Sequence, residues 1–213
     1  VMDLTQELVL ELSKLPTGNV ADANGKKGNM DPAIKPIDSK CHMIGRAVTV
    51  ECYPGDNLAL HQGIYAANPG DVVVFNCHGY TGGGHFGDIM ATACKIRGLA
   101  GVVIDGSCRD SEDIRELGFP VFVRAYNPGG TVKESLANIN VPVVCGGVLV
   151  RPGDIIVGDC DGIVVVPREK EDEVFSKANA IYEKEIKVKE MLYAGKSTME
   201  IYGFDKLVEA KIG

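Results

Sequence analysis

The chain opens on leucines at helical spacing. Leu4, Leu8, Leu12 and Leu15 share one face of "DLTQELVLELSKL". That stripe predicts a helix over 3–15, stopped by Pro16. Residues 17–40 lose the pattern; rich in Gly, Asn, Lys and Pro, they are expected to form a long irregular connection. Then apolar runs alternate with short amphipathic stretches. "IGRAVTVECY" reads as a strand, "DNLALHQGIYAA" as a short helix starting near Asp56, and "PGDVVVFNC" as a second strand. The glycine-rich stretch "GYTGGGHFGD" separates that strand from a helix over 88–97, with Gly98 just past its end. "AGVVIDG" is a continuous apolar strand of the kind covered on both faces. "RDSEDIRELG" is a short helix with acids in its first turn, and "PVFVRA" is another strand.

After Gly129-Gly130 the texture changes. "VPVVCGGVLV", "GDIIVGD" and "DGIVVVP" read as strands divided by Pro-Gly and Asp-Gly turns, with no helix between them. The pattern predicts one compact α/β domain over 1–213, with a partly antiparallel sheet or barrel. The first helix and a long polar helix over 168–193 are its appendages. The apolar stripe of the long helix runs Val174, Ala178, Ile181, Val188 and Leu192. The position missing from the stripe holds Glu185. A charge on a packing face is paired, coordinated or functional. Two readings stay open: a glutamate at the stripe's edge reaching water, or a carboxylate delivered to a site, in this subunit or a neighbouring one.

Composition narrows the classes. With 213 residues, 45% hydrophobic and 24% charged, the chain suits a soluble globular domain with its own core. A net charge of −7 argues against nucleic acid or an anionic membrane as partner. An anionic substrate then needs a local cation, an Arg or a metal. The seven cysteines form no CxxC pair, against both a zinc ribbon and a disulfide framework. Buried reduced thiols, no signal-peptide pattern and no apolar run near 18 residues make the cytoplasm the expected location.

Two segments carry candidate chemistry. Gly82-x-Gly84-x-x-Gly87 has the spacing of a dinucleotide loop, but a lone GxGxxG is weak and roughly 80 residues precede it, late for such a fold. The alternatives are a flexible turn, with the first glycines a mobile pocket rim, and an anion site. For the latter, the first N–H groups of helix 88–97, from Ile89, Met90 and Ala91, are available, with Asp88 at the N-cap position. The second segment is "VVIDGSCRD", where a buried strand ends and Arg109-Asp110 emerge before a helix. Ligands of α/β sheets sit beyond the carboxyl ends of strands. If the two strands are neighbours, Asp88, Arg109 and Asp110 converge; otherwise Arg-Asp is a surface ion pair or a cap. The four histidines show no HxH or HExxH spacing, and there is no nucleophile elbow or P-loop.

The pattern G-D-x-x-A-x-x-x-K-x-R-G-x-x-G-V-V-I-D-G-x-x-R-D, carried by residues 87–110, resembles the 4-hydroxy-4-methyl-2-oxoglutarate / 4-carboxy-4-hydroxy-2-oxoadipate aldolases. Those enzymes share their fold with RraA, the regulator of ribonuclease E activity. "GRAVTV", "PGDNL", "PGDVVV", "GTVKESL", "NVPVVCGG", "PGDIIVGDCDGIVVVP", "EKE" and "LYAG" extend the likeness over nearly the whole chain. The resemblance implies an α/β/β/α sandwich around a barrel-like sheet, similar to swivelling phosphohistidine domains. It implies a homotrimer or homohexamer with active sites between subunits. The implied chemistry is Mg²⁺- or Mn²⁺-dependent cleavage of 4-hydroxy-2-oxo diacids to pyruvate and a 2-oxo acid, with oxaloacetate decarboxylation as a side activity. By motif position Asp110 matches the metal ligand, Arg109 the residue facing the pyruvyl oxygen, and Asp88 an acid holding metal-bound water. Glu185 matches a glutamate arriving from the adjacent subunit. The helix N–H groups after Gly87 are expected to take the substrate carboxylate, which makes Gly87, Asp88, Ile89, Met90 and Arg109 the substrate-binding residues. "CHGYTGGGHF" departs from the family pattern and puts the far end of the pocket in question. The alternative within the resemblance is a non-enzymatic RraA-type regulator binding a ribonuclease. A third label, a methyltransferase of menaquinone synthesis, lacks a nucleotide site here.

Overall fold

In the computed structural model, residues 4–212 are described. Asp3, the first residue of the expected N-terminal helix, lies outside them. In chain order the elements are α1 (Gln6–Leu12), α2 (Thr17–Ala23), β1 (Lys35–Pro36), β2 (Met43–Glu51), α3 (Leu58–Ala66), β3 (Val72–Phe86), α4 (Asp88–Ile96), β4 (Gly101–Cys108), α5 (Ser111–Leu117) and β5 (Val121–Tyr126). There follow β6 (Asn138–Ile139), β7 (Val143–Cys145), β8 (Val148–Val150), β9 (Ile155–Asp159), β10 (Gly162–Val166), α6 (Glu171–Tyr193), α7 (Thr198–Tyr202) and α8 (Phe204–Ile212).

The main sheet runs β1-β5-β4-β3-β2-β9-β10, with β6 also paired to β2. β2, β3, β4 and β5 are mutually parallel; β1, β6, β9 and β10 join antiparallel. A change of connection explains the mixture. Parallel neighbours need crossover helices, here α3, α4 and α5, while β9 and β10 are joined by a two-residue turn. The sheet curls so that its edges approach. Phe122 of β5 faces Gly158 of β9, where a Cβ would lie 2.7 Å from the ring. Lys35 of β1 donates to the Asp161 carbonyl in the β9–β10 turn at 2.5 Å.

Three apolar clusters define the layers. Outside the parallel strands, Leu60, Ile64, Met90, Ala91, Cys94 and Ile114 from the crossover helices cover Val50, Phe75, Ile104 and Val123. Inside the curl, Val72, Val74, Val103 and Phe122 meet Ile156, Ile163 and the β7–β8 hairpin. Beyond β9 and β10, Val174, Phe175 and Ala178 of α6 join Leu12, Leu15 and Val20. Helices, two sheet walls and helices again make an α/β/β/α arrangement, as the resemblance implies.

Several sequence expectations shift. The connection over 17–40 contains α2 and β1. The Asp159 carboxylate takes both the Thr17 N–H and hydroxyl, each at 2.8 Å, and this long-range clamp starts a helix that local sequence does not announce. The glycine stretch is no turn. It continues β3, pairing Tyr80 with Gly106, Gly84 with Ser107 and Phe86 with Cys108 across register shifts. The buried Ser107 hydroxyl donates to the Gly83 carbonyl at 2.6 Å, so Gly83 and Gly84 are packed while Tyr80, Thr81 and Gly82 stay exposed. "VPVVCGGVLV" is a hairpin turning at Gly146-Gly147, both with positive φ. On α6, Val174, Phe175, Ala178 and Val188 are buried while Leu192 is exposed, so the packed face ends before the stripe does. The start of α6 is anchored by Glu171, buried against Arg46 at 2.9 Å. α7 and α8 extend the chain with no buried residue. No helix among the described residues is long and apolar enough to cross a membrane.

Candidate active site

β3 and β4 are parallel neighbours, so their ends bring "GD" and "RD" together. The Arg109 N–H donates to the Phe86 carbonyl at 2.9 Å, tying the two exits. Gly87 is the N-cap of α4 with extended backbone, and Asp88 is the first helical residue. This corrects the expected N-cap role of Asp88. The Ala91 N–H closes the first helical turn on the Gly87 carbonyl at 3.0 Å, which withdraws it from the expected anion-binding set. Ile89 and Met90 keep first-turn N–H groups with no carbonyl four residues behind them inside the helix.

Asp110 stands where α5 would be capped, yet its side chain makes no cap bond. Its φ is +59°, a left-handed backbone that residues other than glycine seldom adopt. Such strain persists where surroundings enforce it and gathers at functional positions. The carboxylate turns to α4 instead: Oδ2 accepts from the Asp88 N–H at 3.4 Å and lies 3.5 Å from Arg109 Nε. Both contacts are long, and the side chain stays one-third exposed. Gly87 makes room, since a Cβ there would sit 2.5 Å from Asp110 Oδ2.

These groups line a cavity of about 280 Å³, with Gly87, Asp88, Ile89, Met90, Arg109 and Asp110 on one side and Asn57, His61, Thr131 and Lys133 on the other. That volume suits a small metabolite. His61 and Lys133 escaped the sequence reading, although "PGDNL" and "GTVKESL" flagged their segments. Asp56 links those segments. Its Oδ2 accepts from the Glu134 and Ser135 N–H groups, each at 2.7 Å, and Oδ1 from Leu58 at 2.8 Å. Burial alone would raise its pKa; the donated N–H groups outweigh that and hold it below the ordinary 3.8. The latch carries Lys133 to the cavity. Burial first, and then the Lys133 charge, press the His61 pKa down, favouring the neutral ring. Buried His85 accepts from the Gly55 N–H through Nε2 at 3.1 Å, which supports the same turn. The Asn57 side chain donates to the His85 carbonyl, and its Oδ1, buried in the cavity wall, finds no partner among the described residues.

Glu185 sits half-buried on α6 and does not line this cavity. The chain therefore brings six of the seven expected site residues together. Among the described residues, the one trio of His, Cys, Asp or Glu close enough to share an ion is Asp159, Cys160 and Asp161 at the β9–β10 turn, remote from the cavity.

A family model for RraA-like proteins, Aldolase/RraA, matches residues 17–165. The chain belongs to the RraA-like family. A Halalkalibacterium halodurans protein named "Putative 4-hydroxy-4-methyl-2-oxoglutarate aldolase" is 39% identical over 172 residues, covering 81% of this chain and 82% of its own. Among solved RraA-like structures, Streptomyces coelicolor RraAS2, titled an unusual member of the RNase ES inhibitor RraA family, superposes with a TM-score of 0.77 at 30% identity. It covers 89% of this chain and 98% of its own. An uncharacterized Pseudomonas syringae protein gives a TM-score of 0.80 at 27% identity over 92% of this chain and 97% of its own. This RraA-like chain thus shares its fold with relatives carrying both an enzyme name and a regulator name.

Proposed function

We propose that the protein is a divalent-metal-dependent carbon–carbon lyase that cleaves 4-hydroxy-2-oxo diacids to pyruvate and a second 2-oxo acid. The observation that carries this reading is the Asp110 carboxylate, turned out of its cap position and left under-satisfied beside Arg109 and the start of α4.

The donor set is compatible with Mg²⁺ or Mn²⁺. Asp110 offers one direct carboxylate, and Mg²⁺ retains several waters and needs only one or two. Charge argues the same way. Arg109 and Lys133 balance Asp88 and Asp110 among the cavity residues, so a dianionic substrate gains net attraction only when further positive charge is present. When bound, the ion supplies Lewis-acid stabilisation of the negative charge formed on the pyruvyl half.

The protein's own groups divide the remaining work. The Ile89 and Met90 N–H groups receive the carboxylate next to the 2-oxo group, helped by the positive end of α4. Arg109 faces the 2-oxo oxygen and stabilises the enolate charge as the C3–C4 bond breaks. Lys133 pairs the distal carboxylate, and neutral His61 and Asn57 line the 4-hydroxyl side. Asp88 takes the 4-hydroxyl proton through water as the C3–C4 bond breaks and C4 becomes the carbonyl of the second 2-oxo acid; a proton returned through the same water to C3 of the enolate completes pyruvate. Oxaloacetate decarboxylation leaves the same enolate, so one site serves both reactions. Glu185 acts from a second copy of the chain, in a trimer or hexamer, to complete the proton path.

Purified protein with Mg²⁺ or Mn²⁺ is expected to release pyruvate from 4-carboxy-4-hydroxy-2-oxoadipate, 4-hydroxy-4-methyl-2-oxoglutarate or oxaloacetate, and EDTA to stop it. No pyruvate from any of the three would refute the reading. The likeness to RraAS2 favours a second reading, a regulator that binds a ribonuclease. Tight capture of a purified ribonuclease by protein with no lyase activity would select it.

A further inference from the structure

Between β5 and β6, residues 127–137 form no helix or strand of their own. They make a strap that carries Thr131 and Lys133 into the cavity wall. Lys133 is exposed and its stem is flexible, so its ammonium goes where the backbone sends it. The strap is fastened on both sides of this residue. Behind it, the Asp56 carboxylate holds the Glu134 and Ser135 N–H groups. Val132 is tied down as well: its N–H donates to the Gly55 carbonyl and its carbonyl accepts from the Asn57 N–H, each at 3.0 Å.

The front fastener is Asn127. Its side chain spans two segments. Nδ2 donates to the Thr81 carbonyl at 2.7 Å, and Oδ1 accepts from the Gly129 N–H at 2.8 Å. The Asn127 N–H donates to the Cys108 carbonyl at 2.9 Å, just before Arg109. One residue thus joins the end of β4, the glycine stretch of β3 and the start of the strap. The Gly129 carbonyl is held too, accepting from the Gly84 N–H at 2.9 Å. The glycines permit this approach. A Cβ on Gly83 would lie 2.8 Å from the Gly130 carbonyl oxygen, and one on Gly84 2.6 Å from the Asn127 carbonyl oxygen. The glycine-rich "CHGYTGGGHF" therefore makes room for the strap.

Asn127 does not line the cavity holding Asp110. It lines the neighbouring groove, which shares Arg109 and Asp110. Its side-chain bonds reach the cavity through the strap, and the cation at that end is Lys133, whose charge is felt at His61 in the same wall. A ligand carboxylate gains from a lysine placed there, and an apolar chain end does not.

We propose that Asn127 is a positioning residue: through the strap it sets Lys133 against the distal carboxylate of a bound 2-oxo diacid, and so makes the cavity select 2-oxo acids that carry a second carboxylate. This rests on the lyase reading for the direction of the substrate, with its 2-oxo end at Arg109 and its far end at Lys133.

The test is binding, with ligands that lack a 4-hydroxyl and so cannot undergo the cleavage. The whole protein with Mg²⁺ is titrated calorimetrically with 2-oxoglutarate and with 2-oxopentanoate, which has the same chain length and no second carboxylate. The parent should favour 2-oxoglutarate about fivefold, the scale of an exposed ion pair. Asn127→Ala should abolish that preference by weakening 2-oxoglutarate alone. A general loss of structure would instead weaken both, since 2-oxopentanoate reports the Arg109 end. Lys133→Met should do the same as Asn127→Ala, and the double variant should be no weaker than either single one, because both act through one contact. Gly83→Ala presses on the strap at Gly130 without touching the Asn127 side chain, and should lose the same preference even if Asn127→Ala folds poorly. The proposal is overturned by a parent without preference, by parental preference in Asn127→Ala or in Gly83→Ala, by equal weakening of both ligands, or by additive losses in the double variant. Pyruvate release by the parent is measured separately: its absence refutes the lyase reading, and the titration decides the role of Asn127 in either case.

Discussion

Asp105 and Asp110 are five residues apart, one inside β4 and one just past its end. Their carboxylates have opposite fates. Asp105 is buried, with bonds of 2.6 and 2.7 Å to Arg124 and the Gly146 N–H. Asp110 is one-third exposed, with contacts of 3.4 and 3.5 Å. A buried carboxylate with a short bond to each oxygen holds the fold together. One with long contacts and a third of its side chain exposed keeps acceptor capacity, and it is the one the proposed function uses. The sequence motif "IDGSCRD" contains both and ranks neither.

Substitutions can break this contrast from either side. The largest effect is expected from Arg124→Met, which leaves Asp105 buried without its partner. Removing one member of a buried pair costs about 3–5 kcal/mol, lowering the melting temperature by roughly 10 °C for a chain of this size. Calorimetry showing no loss would mean that Asp105 is as little committed as Asp110. Asp110→Asn should do the reverse. Pyruvate release should drop roughly 10²–10³-fold, with stability changed by no more than about 1 kcal/mol. A large fall in melting temperature with activity retained would invert the assignment.

Gly87→Ala sharpens the comparison without touching either acid. The added Cβ would press on Asp110 Oδ2 from 2.5 Å. A displaced carboxylate should cost roughly 10–100-fold in kcat and leave the Asp105 ion pair untouched, as steady-state kinetics and amide shifts near Arg124 would report. The smallest effect concerns Asp56, a third committed carboxylate. Its folded pKa lies below the ordinary 3.8, because the N–H groups of Leu58, Glu134 and Ser135 outweigh the effect of burial. Its stabilisation is therefore complete above about pH 4 and fades as pH falls through the folded value. The stability gap between parent and Asp56→Asn, about 1.5–3 kcal/mol at neutral pH, should shrink below pH 4 in denaturant titrations. A gap that grows with acidity would contradict the latch.

Much of this is legible in the sequence. Apolar periodicity located β2, β4, β5, α4, α5 and α6 within a few residues, because each buries a continuous run or stripe whose spacing is local information. The convergence of Asp88, Arg109 and Asp110 followed from reading two strands as neighbours. The helical start at Thr17 was not legible, since its clamp, Asp159, lies 142 residues away. The paired state of Tyr80–Phe86 was hidden for a similar reason: glycines read as a turn until the neighbouring strand supplies hydrogen-bond partners. His61 and Lys133 reach the cavity through the Asp56 latch, and no spacing rule anticipates a contact made by a carboxylate with backbone amides about 80 residues on.

The sequence by itself determined the alternation of strands and helices, the family pattern around "GD" and "RD", and the acidic balance of the chain. These depend on residue type and near spacing alone. Only the tertiary structure decided how closely each carboxylate is bonded, that the glycine stretch is part of a sheet, and that the Asp56 latch brings Lys133 to the cavity. Those outcomes depend on which lone pairs and N–H groups meet across the fold, and distance in space, unlike periodicity, is not written along the chain.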